Sequence, residues 1–167
     1  MQVEMATKEK NRASIDIIAD TEILITRTIG APRDIVFEII TTPEHVEHWY
    51  GCAVMKMVHC EIDLRVGGKW RYVLRMPDQT EHGFSGEYRE IVPPERLVST
   101  ESYEPIGPGH EMLATVTLEE RNGRTTFRNR LVYKSKADRD GHIGSGMEAG
   151  MQESFDRLEA LATKRGR

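Results

Sequence analysis

Apolar side chains along this chain recur with a period of two, then at helical spacing, then with a period of two again, and finally in one long helical stripe. "EILITRTI" (Glu22 to Ile29) is rich in β-branched residues and predicts a first strand. In "GAPRDIVFEII", Pro32 suits the first turn of a helix, and Ile35, Val36, Ile39 and Ile40 form its apolar stripe. "TTPEHVEHWYG" predicts a second short helix, with Thr42 as cap, Pro43 at the first helical position and Gly51 as its end. From Val54 the alternation returns. "VMKMVHCEI", "KWRYVLR", "HGFSGEYREI", "LVSTESY", "EMLATVTLEE" and "RTTFRNRLVY" read as about six strands. Gly67-Gly68, Pro77-Asp78, Pro93-Pro94 and Asn122-Gly123 punctuate them, and the last is the strongest short hairpin signal in the chain. After Tyr133 comes a polar, glycine-bearing stretch, "KSKADRDGHIGSG". Met147, Met151, Phe155 and Leu158 then recur every four or three residues, with Ser154, Leu161 and Ala162 on the same side, and predict a long amphipathic helix.

"LRVGGKWRYVLR" (Leu64 to Arg75) decides between two readings of its glycine pair. A phosphate-binding loop needs Lys followed by Ser or Thr and then a helix, whereas Lys69 precedes Trp70 and a period-two alternation. Trp70, Tyr72 and Leu74 fall on one face, with Lys69, Arg71 and Arg75 on the other. The glycines are therefore a tight turn feeding a half-buried strand. The element order predicts an α+β domain: an antiparallel sheet of about seven strands, two short helices after the first, and one long C-terminal helix covering the aromatic face.

Composition narrows the class. At 167 residues the chain predicts one domain, taken as residues 21–165, preceded by a loose N-terminal arm over residues 1–20, on which Ile15, Ile17 and Ile18 offer docking points. Lys plus Arg number 23 against 27 Asp plus Glu, a formal charge of −4, which gives no electrostatic footprint for nucleic acid. Cys52 and Cys60 form no CxxC and no zinc-type cluster, and read as reduced thiols. No apolar run approaches the roughly 20 residues that a spanning helix needs, and the first residues lack an apolar signal core. The expectation is a cytoplasmic protein without membrane insertion.

The candidate chemistry is sparse. His45 and His48 with Glu44 and Glu47, and His59 beside Cys60, do not assemble a recognisable ligand set, so no metal and no cofactor is expected. Ser85 in "GFSGE" echoes a nucleophile elbow but lies within a strand pattern instead of a strand-to-helix turn. Glu61, Asp63, Glu87 and Glu101 offer carboxylates, for which surface or ion-paired roles with Arg65, Arg71 or Arg89 are the expectation, and no catalytic residue is assigned. The aromatic and methionine set is the best candidate site. Trp49, Trp70, Tyr72, Phe84 and Tyr88 face Met147, Met151 and Phe155 if the element order holds. Gly83 and Gly86 on the sheet, with Gly144, Gly146 and Gly150 on the helix side, are expected to leave a void between them. Such a wall suits a small apolar or aromatic ligand, because methionines adapt and the Tyr and Trp rings add polar handles.

The motifs "R27-T-I-G-A-P-R" with "V36-F", "T42-P-E-H" with "W49", "D63-L-R-V-G-G-K-W-R", "G86-E-Y-R-E-I-V-P-P-E-R-L" and "G146-M-E-A-G-M" with "D156-R-L" occur in order over most of the domain. Together they resemble the START-like helix-grip superfamily, in the branch named after the C-terminal domain of the activator of the heat-shock-protein-90 ATPase. The resemblance implies a curved sheet gripping the long helix around an apolar pocket. Two places depart from the family pattern. Trp49-Tyr50-Gly51-Cys52 replaces the usual Trp-Trp-Gly-Pro, and the usual aromatic residue near Met151 is missing. The leading functional expectation is a non-enzymatic binder of a small apolar molecule. A polyketide cyclase or hydrolase-like enzyme is the alternative, and would need a polar group deep in the cavity, such as Tyr72, Tyr88, His59 or Glu101. A homodimer stays open. A chaperone partner is disfavoured, because the expected single domain lacks the N-terminal domain such co-chaperones carry.

Overall fold

The computed structural model describes residues 11–166. Its sheet has eight antiparallel strands: β1 (Ser14–Ala19), β2 (Glu22–Ile29), β3 (Lys56–Ile62), β4 (Lys69–Arg75), β5 (Glu81–Val92), β6 (Arg96–Tyr103), β7 (Met112–Arg121) and β8 (Arg124–Val132). They run in the order β1-β2-β8-β7-β6-β5-β4-β3. Helices α1 (Arg33–Thr41) and α2 (Pro43–Trp49) lie between β2 and β3, and α3 (Lys136–Gly144) and α4 (Met147–Arg165) follow β8. This is the expected α+β, curved helix-grip architecture, with one strand more than the expected seven.

The extra strand comes from the segment read as a loose arm. Ser14 pairs with Thr26 and Ile17 with Ile23, making β1 an edge strand. The Gln152 side chain on α4 fixes its start, accepting from Ala13 N at 3.0 Å and donating to Ala13 O at 2.7 Å. The arm's residues 1–10 lie outside the described residues. A second addition is α3, where the sequence suggested only a polar stretch. Ser135 Oγ caps it by accepting from Asp138 N at 3.1 Å. The buried Arg139 ties it to the end of β1 by donating to Ala19 O at 2.8 Å.

The burial of β2 alternates strictly, with Ile23, Ile25, Arg27 and Ile29 inward. Bulges between Ile17 and Ala19, Met57 and His59, and Tyr88 and Glu90 bend β1, β3 and β5 and help curl the sheet around α4. Phe155, Leu158 and Ala162 of α4 are buried, and the Phe155 ring meets Phe127 of β8 edge-on at 5.1 Å. Arg27 donates to Asp156 at 2.9 Å and Glu159 at 2.7 Å, joining β2 to the same helix.

The glycine pair behaves as a turn. Gly67 has φ +84°, its N–H donates to Tyr88 O at 2.8 Å, and Tyr88 N returns a bond to Gly68 O at 2.9 Å. A Cβ on Gly68 would sit 2.1 Å from Asp63 O, so only glycine fits there. The turn thereby sets the register in which Trp70 faces Gly86 and Tyr72 faces Phe84.

Candidate ligand-binding cavity

Between the concave face of the sheet and α4 lies a cavity of about 350 Å³. Strand periodicity builds its floor. Trp70, Tyr72 and Leu74 alternate along β4, Phe84 and Tyr88 lie on β5, Leu97, Ser99 and Glu101 alternate along β6, and Ala114 and Val116 come from β7. Helix periodicity builds its roof, from Met147, Gly150, Met151, Ser154 and Phe155. Trp49 closes one side from the end of α2, with its indole N–H donated to Ile39 O at 3.1 Å. All eight residues singled out by sequence, Trp49, Trp70, Tyr72, Phe84, Tyr88, Met147, Met151 and Phe155, therefore line one cavity.

Tyr50 sits at the centre of the aromatic wall. Its ring lies edge-on to Tyr72 at 4.9 Å, to Phe84 at 5.8 Å and to Trp49 at 5.7 Å. The loop that carries it is clasped to α4. Gly51 O accepts from Ser154 Oγ at 2.8 Å and from Arg157 Nη1 at 3.1 Å, and Ala53 N donates to Glu153. Tyr50, Cys52 and Met151 all belong to the cavity wall.

The glycines contribute differently from the sequence expectation. Gly150 lines the cavity, and a Cβ there would meet no atom within 4 Å. Gly86 does not open space: its Cβ would fall 1.8 Å from Thr100 O and 2.6 Å from the Trp70 indole nitrogen, so it lets strand and ring approach. Gly83 lies under the Glu104 carboxylate, which Arg71 holds at 2.8 Å. Gly144 is outside the cavity wall, and Gly146, at φ +83°, is the cap of α4 and lines nothing.

Polar groups inside are few. Glu101 projects from β6 into the cavity with no donor among the described residues reaching its carboxylate. Burial pushes its pKa up to about 7. Burial, reinforced by the Glu101 charge, raises the phenol of Tyr50 well above its ordinary value, and both effects also raise Tyr72 and Tyr133. His142, brought by α3, also lines the cavity, and its Nδ1 lies 2.6 Å from Tyr133 Oη. Burial lowers its pKa, so the imidazole is neutral near pH 7. Asn129 Oδ1 and Trp70 Nε1 are buried without a partner among the described residues. Glu101 is one of four candidate carboxylates on the predicted strands, and only the Leu97-Ser99-Glu101 alternation distinguishes it. Tyr50 and His142 carried no such signal.

The other candidates lie elsewhere. His59 is half-exposed beside Glu61 at 3.2 Å, outside the cavity wall, so it does not supply the deep polar group that the enzyme reading considered. Asp63 pairs with Arg65 at 2.8 Å and Glu87 with Arg89 at 3.7 Å, the surface roles expected for them. Ser85 sits within β5, paired to Arg71 and Ser102. Burial, then Glu47 and Glu44, raise the Cys60 thiol to about 11, which makes it a poor nucleophile. Among the described residues no three His, Cys, Asp or Glu converge as metal ligands, and no helix is long and apolar enough to cross a membrane. A second hollow, of about 430 Å³, lies around Val98, Thr100, Leu113 and Val132, the alternate positions on the sheet's outer face.

The profile of the family described as "Activator of Hsp90 ATPase homolog 1-like protein" matches residues 30–163. The chain belongs to this family. Solved structures similar to this family member include a protein of Rhodobacter sphaeroides (TM-score 0.83, 24% identity, 91% of this chain and 98% of that one) and a protein of Nitrosomonas europaea (TM-score 0.79, 24% identity, 89% and 98%). An AHSA1-like protein of Aeromonas hydrophila superposes with TM-score 0.66 at 18% identity, covering 86% of this chain and 94% of its own. At these identities the likeness is one of helix-grip fold. No curated protein matches the chain.

Proposed function

We propose that this protein binds a small, largely apolar or aromatic molecule in the cavity between sheet and α4, and holds it without chemical change. The observation that carries the reading is the cavity itself. Its volume of about 350 Å³ falls at the low end of the ~300–1,000 Å³ typical of ligand sites, and aromatic rings and methionines dominate its wall. An empty space of that size between sheet and helix lowers stability, which an occupant would restore. Two free thiols, Cys52 and Cys60, support a reducing compartment such as the cytoplasm.

Titration with the neutral fluorophore N-phenyl-1-naphthylamine tests this. One saturable site per chain, with quenching or energy transfer from Trp49 and Trp70, is the expected result. Absence of saturable binding, in protein first stripped of co-purifying small molecules under native mass spectrometry, would overturn it.

Glu101 favours a second reading, an enzyme of the cyclase or hydrolase type. A carboxyl that titrates near neutrality inside a cavity suits general acid–base work. That reading requires turnover of a bound aromatic substrate, and its loss in Glu101→Gln without loss of binding.

A further inference from the structure

Glu101 raises a question that the apolar wall does not answer. Among the described residues lining the cavity it is the one charged side chain, with no Lys or Arg beside it. Burial alone acts on its carboxyl, with no hydrogen bond from the described residues, and the same wall holds two buried polar atoms without partners among those residues, the acceptor Asn129 Oδ1 and the donor Trp70 Nε1. Buried polar groups ordinarily find partners, so an unpaired carboxyl facing the void points to what the void admits. Around it stands a connected aromatic cluster: Tyr50 against Tyr72 and Phe84, and Trp70 against Tyr72 at 4.7 Å. Aromatic faces attract cations, most strongly where water is excluded.

We infer that the natural occupant is an organic cation: a one- or two-ring apolar body carrying a protonated amine, its ammonium paired with Glu101 and its body set among Tyr50, Trp70, Tyr72 and Phe84. The inference rests on the cavity reading above and adds the sign of the ligand. A fatty acid or other carboxylate would set like charge against Glu101 in a low-dielectric site, which disfavours that class. An ammonium neutralises Glu101 and supplies the missing donors.

Three probes on one naphthyl body separate the possibilities: 2-(1-naphthyl)ethylamine, 2-(1-naphthyl)ethanol and 1-naphthylacetate, titrated calorimetrically into the whole chain. The amine is expected to bind at least about tenfold tighter than the alcohol, and the acetate weakest. In Glu101→Gln the preference should vanish, so that amine and alcohol bind alike.

Wild-type protein alone gives a second measurement that does not depend on the variant's folding. Between about pH 6.5 and 8.5, amine affinity should rise with pH as Glu101 ionises, while alcohol affinity stays flat. Among the described residues, the titratable groups that share the cavity with Glu101 or bear on it are Tyr50 and Cys52 after α2, Tyr72 on β4, Tyr88 on β5, Tyr133 after β8 and His142 on α3. The phenols are held protonated and His142 is held neutral across that range, and the cavity faces of β5, β7 and α4 add no charge. If alcohol and amine bind equally, if acetate binds best, or if the amine's pH profile is flat, the cation assignment falls and the cavity reading stands. If none of the three binds, the cavity reading falls and the assignment with it.

Discussion

A carboxyl group facing an apolar cavity must give up its charge or destabilise the fold that carries it. For Glu101 the sign follows from its pKa, about 7 in the fold against 4.5 in an unfolded chain. Below about pH 4.5 both states are protonated and the group is neutral in effect. As pH rises toward about 7 the unfolded chain releases its proton first, so stability falls through this window and levels off above it. Glu101→Gln removes the titration. It should flatten that slope and raise stability above pH 7 by on the order of 1–3 kcal/mol, read from urea unfolding at several pH values. A variant less stable than wild type at pH 8 would mean that an unseen donor already pairs the carboxylate. Arg27 presents the opposite case. Its guanidinium is 2% exposed and holds Glu159, which is 15% exposed, while its Nε and Nη1 have no partner among the described residues. Arg27→Met should cost about 3–5 kcal/mol by leaving the partly buried Glu159 charge without its counter-ion, although Gly30 N and the Asn11 amide still donate to it, and adding Glu159→Gln should recover part of the loss. A single-variant loss below about 1 kcal/mol would show the pair to be screened by solvent.

At the scale of elements, the hairpin between β7 and β8 gives the sharpest test of local chemistry. Asn122 and Gly123 have φ of +54° and +73°, the left-handed pair that a two-residue turn requires. Gly123→Val forces a β-branched residue into that region, and should lower stability by about 1–2 kcal/mol, visible as a lower melting temperature. An unchanged melting temperature would contradict the pairing of Arg121 with Arg124. Elements with one strong period were legible in the sequence: β2 through its Ile alternation, β4 through "KWRYVLR", α4 through its Met-Met-Phe-Leu stripe. Two were not. β1 has exposed Ile17 and Ile18 and only one neighbour, so no half-buried alternation marks it, and its clamp to Gln152 spans 139 positions of sequence. α3 carries Gly141 and a single large apolar residue, Ile143; its one local signal was Ser135 three residues before Asp138. Missing α3 meant missing His142 in the cavity.

For the molecule as a whole, family membership fixes the helix-grip frame and leaves the contents of the cavity to individual side chains. The cavity's apolar wall was readable because a strand and a helix each advertise their inward face. Its polar content was not, because Glu101 differs from Glu87 or Glu61 only in which way its strand turns it. The glycines are hard to read for a related reason: a glycine that opens space and one that permits close approach look alike until their neighbours are placed. Gly150 alone among those singled out opens the cavity, and this makes it the place to test the central claim. Gly150→Leu puts a good helix former in the interior of α4, and its side chain into empty space. The measurement is calorimetric melting paired with titration of N-phenyl-1-naphthylamine on the same preparation. The account predicts a melting temperature that holds or rises, with probe affinity falling at least about tenfold, or ~1.4 kcal/mol. A variant that folds and binds the probe as tightly as wild type would place binding elsewhere and contradict the account.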